Sequence, residues 1–249
     1  MENSYTKKYK EYIAFLRANQ DDLLDNDNWD SLFSVLQFLK LSDEYTLDDY
    51  RSKDSTNNIL RLYARKVSTN RPDEKEFKKY DAKHGIEAFF KSIFDEIKRE
   101  KGIDINDEEP VGLPEKIEPE SVVTLDFTPE AIWEAYMLKT TDYYIGQRWH
   151  GGYHKMTVPA NIEELKKFKP WKEDEILEYE KFIEETELDF APKITIKDDV
   201  ATIEHIAVFF HNRFSKCTAK AYYNAVDKKI EKFEFDNVDL FKFTSHFMY

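Results

Sequence analysis

The chain has 249 residues, 41% of them hydrophobic and 15% aromatic, and a formal net charge of −13. That apolar content supports one large folded domain or two modest ones and excludes a disordered chain. The charge excludes broad binding to nucleic acid or anionic membrane, both of which recruit positive surfaces, and suits a basic protein partner drawn in by opposite charge.

The N-terminal part, to about residue 101, has helical spacing. Tyr5, Tyr9, Tyr12, Ile13 and Leu16 recur at three and four and predict a first helix. The acidic stretch 21–28 offers Asx caps for a second helix that buries Trp29, Leu32, Phe33, Leu36 and Leu39. It lacks the central glycine and closing glutamate that a calcium loop requires. A third helix is expected from about residue 55 through Ile59, Leu60, Leu62, Tyr63 and Val67, and the best-defined one spans 86–101, with Gly102 as its cap.

Residues 103–120 hold seven acidic residues, three prolines and one lysine, too little to bury, and read as a linker. This divides the chain into a helical domain (1–102), an acidic linker (103–120) and an α+β domain (121–249). Thr128-Pro129-Glu130 has the order of a helix start, with Ile132, Trp133, Tyr136 and Met137 following at helical spacing. Asn161-Ile162-Glu163-Glu164 resembles a capping box, and after Pro170-Trp171 another helix is expected to turn Ile176, Leu177, Phe182 and Ile183 inward.

From Lys193 the period changes from 3.6 to 2. Strands are expected at 193–197, 200–211, 214–225, 229–236 and 238–249, with turns at Asp198-Asp199 and Asp227-Lys228. The second is apolar on both faces around Ile206, Ala207, Val208, Phe209 and Phe210, which places it centrally. The fold class is therefore α+β: a helical N-terminal half followed by helices packed on a C-terminal antiparallel β-meander of four to five strands.

Between the helices and the sheet, the segment 142–155 holds two of the six histidines and three of the six glycines. Gly151-Gly152 excludes an ordinary helix, since each glycine costs about 1 kcal/mol in a helix interior. Tyr143, Tyr144, Arg148, Trp149, His150, Tyr153, His154 and Lys155 are its candidate binding residues. Tyr, Trp and Arg dominate interface energetics, so the segment reads as an anchor for a protein partner. Alternatively, Arg148 and Lys155 hold a phosphate or carboxylate near backbone N–H groups freed by the glycines, with His150 or His154 as acid or base. A metal held by His150 and His154 with Asp142, His205 or His211 is disfavoured because i, i+4 spacing serves only on a helix. A purely structural role, with the aromatic rings covering the sheet, remains open as well.

His205 and His211 share a strand face with Ile203, Ala207 and Phe209, where a histidine ordinarily packs and hydrogen-bonds. Acidic residues gather along 173–187, read as a solvated face or a docking surface for a basic partner. Neither a serine elbow nor a Cys-His pair is present, and the lone Cys217 reads as a small buried strand residue that leaves no internal disulfide or thiolate-rich metal site. The first residues lack a signal peptide's apolar core, and no run approaches the ~18 apolar residues of a membrane span, which fits a cytoplasmic protein. The sequence leans away from an enzyme and implies no cofactor or metal. It points to a non-enzymatic acidic module docking on a basic protein, as a toxin-immunity or phage-encoded inhibitor protein does. The alternative is an enzyme or receptor for an anionic small molecule at 142–155.

Overall fold

A computed structural model of the chain describes residues 3–19, 23, 28–49, 62–70, 117–141, 156–168, 170, 172–209 and 213–242. The helix expected at 86–101 and the segment 142–155 lie outside them, as do His84, His211 and His246.

Helix α1 (Ser4–Ala18) begins where the Asn3 side chain accepts the Tyr5 N–H at 2.9 Å, and it buries Tyr9, Tyr12, Ile13 and Leu16 as its spacing predicts. The second expected helix does not form. Trp29–Ser34 is a 3-10 turn followed by strand β1 (Leu39–Leu41), although Trp29, Leu32, Leu36 and Leu39 are all buried as expected. Asp30 explains part of the difference: its carboxylate accepts the Leu47 N–H at 2.7 Å and the Thr46 hydroxyl at 2.9 Å, tying the turn to strand β2 (Tyr45–Asp49). The third expected helix also fails where it is described. Leu62–Lys66 is strand β3, antiparallel to β2 with Leu47 opposite Ala64. Leu62, Tyr63 and Ala64 are buried in succession, and a short apolar run of that kind fits strand and helix equally well.

The end of the stretch read as linker is folded. Ile117 bridges Ala64, and Pro119–Val122 forms a 3-10 turn leading into strand β4 (Val123–Leu125), which pairs with β1. Helix α2 (Pro129–Thr141) starts as its sequence predicts, the Thr128 hydroxyl accepting the Ala131 N–H at 3.3 Å. Every residue from Ala131 to Leu138 is buried, including Glu134, so α2 is enclosed on all sides.

The sheet is α2's largest neighbour. Strand β5 (Met156–Thr157) and strand β6 (Lys193–Lys197) both pair with β7 (Val200–Phe209), which pairs with β8 (Arg213–Asn224) and that with β9 (Lys229–Lys242), all antiparallel. The central place of β7 is as expected. The last two expected strands are one: β9 runs on, with register shifts that leave Glu231 and Leu240 unpaired against β8. On the face toward α2 the register aligns Ala201 with Ala221, Ile203 with Ala219, His205 with Cys217 and Ala207 with Ser215. The alanines, Cys217 and Ser215 of this face are small and leave room for α2, whose Trp133 and Tyr136 rings meet His205. Residues of α1, β1, α2, β7 and β8 share one hydrophobic cluster, so the core is continuous across the expected linker.

The opposite face is apolar at one end, where Val208 and Phe214 meet Leu165 from helix α3 (Ile162–Leu165) and Tyr179 and Ile183 from helix α4 (Glu173–Glu185). At α3 the Asn161 side chain accepts the Glu164 N–H at 3.0 Å while the Glu164 carboxylate accepts the Ala160 N–H at 2.9 Å, a reciprocal cap. The architecture is α+β with a C-terminal antiparallel sheet. No helix among the described residues is long and apolar enough to cross a membrane.

Candidate functional site

His205 lies under α2, 3% exposed. Its Nε2 is 2.7 Å from the Tyr136 hydroxyl and its Nδ1 is 3.2 Å from the Ile206 carbonyl. A carbonyl only accepts, so Nδ1 carries the proton and Nε2 accepts the Tyr136 O–H. Burial lowers the imidazole pKa to about 4, against a smaller upward pull from the Ile206 carbonyl. Burial also raises the Tyr136 phenol well above its usual range and pushes the Cys217 thiol up to about 12. All three groups are neutral and shielded. The ring, with Trp133 edge-on at 5.6 Å, offers no lone pair to a metal or substrate, and Cys217 is not a nucleophile. Among the described residues no group of three His, Cys, Asp or Glu side chains could hold a metal ion.

The charged groups around α2 hold the N-terminal segments to it. Glu134, 1% exposed, pairs with Lys8 at 2.9 Å and accepts the Phe38 N–H at 2.7 Å. Lys139 pairs with Glu120 at 2.7 Å and Glu118 at 3.1 Å. Burial pulls its pKa down, but the two carboxylates outweigh that and hold it above the usual lysine value.

Of the residues singled out at 142–155, namely Tyr143, Tyr144, Arg148, Trp149, His150, Tyr153, His154 and Lys155, none is among those described; the structure places the two ends of that segment. It leaves α2 at Thr141 and re-enters at Met156, opposite Phe209, with Thr157 opposite Val208. Val208 is also part of the cluster beneath α4. The segment therefore returns at the end of the sheet that carries α4.

Helix α4 presents a strongly charged surface. Along 172–187 stand eight carboxylates and two lysines. The buried seam of α4 is Tyr179 and Ile183, with Ile176 and Phe182 partly buried, and its rings are fixed by aromatic packing: Tyr179 stacks on Phe214 at 5.5 Å and Phe182 on Phe241 at 5.1 Å. The Tyr179 hydroxyl donates to the Leu165 carbonyl at 2.6 Å. Leu177, expected to face inward, is 72% exposed, because it sits off the 176, 179, 183 seam; Tyr179 takes the inward place instead. Glu173, Asp174, Glu178, Glu180, Glu184 and Glu185 are exposed around it. The first-turn acids suit the positive end of the helix, but Glu184 and Glu185 sit at its negative end, where the 3.8 Å pair of Lys181 with Glu185 offsets part of their charge.

Compared with known proteins, the chain matches no protein-family model, no curated protein and no solved structure.

Proposed function

We propose that the protein is a non-enzymatic docking module for a basic protein, acting as toxin-immunity or phage-encoded inhibitor proteins do. The observation that carries this reading is the outward face of α4: exposed Leu177 with Glu173, Asp174 and Glu180 three or four residues away and one lysine, Lys181, among them, on a helix clamped to the sheet by stacked aromatic rings. A rigid helix presents such a surface with little ordering entropy left to lose on binding. The carboxylates steer a cationic partner and the apolar centre gives the desolvated contact that slows its release. Tyr143, Tyr144, Arg148, Trp149, His150, Tyr153, His154 and Lys155 are proposed to add anchors from the segment that re-enters the sheet beside this helix. The neutral, enclosed state of His205 and Cys217 supports the non-enzymatic half of the reading.

A photo-crosslinking residue placed at Leu177 tests this, with one at Val226, 91% exposed on the β8–β9 turn, as the control. In extracts of its source, the Leu177 probe is expected to trap one basic protein that the Val226 probe does not. Equal adducts at both positions, or trapped proteins that are not basic, would count against the reading.

A further inference from the structure

Between α1 and β5 lies a cleft of about 500 Å³, within the size range of small-molecule sites. One wall is the α1 ridge of Tyr9, Ile13 and Arg17, spaced four apart; the floor is opened by Ala14 and Ala18 on the next ridge, and the far wall is Met156 and Val158. The polar groups at one end are engaged. The Tyr9 hydroxyl donates to the Met156 carbonyl at 2.9 Å, and Lys10 pairs with Glu164 at 2.6 Å. At the other end Arg17 is exposed and makes no hydrogen bond or ion pair with any described residue. Lys10 and Arg17 stand seven residues apart on α1, about 10 Å along its axis. The cleft is thus apolar along its length, neutralised at one end and cationic at the other.

We infer that this cleft binds a small amphipathic carboxylate, a medium-chain alkyl or aryl acid, whose carboxylate pairs with the Arg17 guanidinium and whose tail lies along Ile13, Ala14, Met156 and Val158. Arginine suits this because its fork matches a carboxylate in two parallel hydrogen bonds. At the opposite end Lys10 is already paired with Glu164 at 2.6 Å, so the Arg17 end is the one that takes the ligand's charge. Phosphate esters fit less well, since two negative charges would meet a single cation in a protein of net charge −13. The inference is independent of the docking function, which concerns a different helix.

The experiment is calorimetric titration of the full chain with decanoate and with decanol, repeated on Arg17→Gln and on Ala14→Trp, whose indole fills the floor. Circular dichroism first confirms that both variants are folded; Ala14 and Arg17 are exposed, so neither change disturbs the core. The expected result is saturable one-site binding of decanoate, with at least tenfold weaker binding of decanol, a tenfold or greater loss in Arg17→Gln and no binding in Ala14→Trp. Absence of saturable decanoate binding, equal affinity for decanol, or unchanged affinity in either variant overturns the inference.

Discussion

At His205 the fold holds an ionisable ring in its neutral form, and that has a pH signature. The ring's pKa falls from the ordinary 6.5 to about 4 on folding, so between those values the unfolded chain binds the extra proton more readily. Stability from this group is therefore complete above pH 6.5 and is lost as pH falls toward 4, by about 3 kcal/mol at 1.36 kcal/mol per pKa unit. Because the protein's carboxylates titrate in the same range, the informative quantity is a difference. His205→Gln removes the titrating group while keeping an acceptor near Tyr136. Denaturant unfolding at pH 7.5 and 4.5 should show wild type losing about 2–3 kcal/mol more than the variant. An equal loss in both would mean that the ring is not shielded as described. Even spacing along β7 put His205 on one strand face with Ile203 and Ala207; what spacing alone could not give was that this face lies under α2, or the Tyr136 hydroxyl 69 residues earlier in the chain, which closes its last lone pair.

Among the elements, α1, α2 and the run from β6 to β8 were legible because each carries one clear period. The strands β1, β2 and β3 were not. Their apolar runs are too short to carry a period, and what makes them strands is a partner: β4 for β1, and the β2–β3 pairing that Asp30 helps to hold. Leu39 illustrates the point, since the 3, 4, 3 spacing from Trp29 through Leu36 continues to it while the chain has already left the helical path. The same limit applies to Leu177, which sequence composition turned inward and helix geometry turns outward. A further element-scale feature is the row of small residues on β7 and β8 beneath α2. Ala219→Leu on this face would force α2 away from the sheet and should destabilise the fold by about 1–3 kcal/mol, measured by denaturant unfolding. A neutral outcome would show that α2 does not press on this row.

Over the whole molecule, described segments from before residue 103 and from 117 onward share one core, with α2 at its centre and Glu134 and Lys139 pairing with groups on both the N-terminal and the preceding segments. Where charge accumulates was legible from the sequence; which apolar side chain it surrounds was not, because that depends on the rotation of α4 set by Phe214 and Phe241 of the sheet. The α1–β5 cleft was equally invisible in the sequence, since its two walls are nearly 140 residues apart. The central claim is that the α4 face steers a basic partner. Its most direct test is the association rate of the partner trapped at Leu177, measured from about 0.05 to 0.5 M salt for wild type and for Glu178→Lys/Glu184→Lys. The account predicts a fall of at least tenfold with salt in wild type, and a rate in the variant that is already low at low salt and changes little. A rate that is independent of salt and untouched by the charge reversal would contradict it.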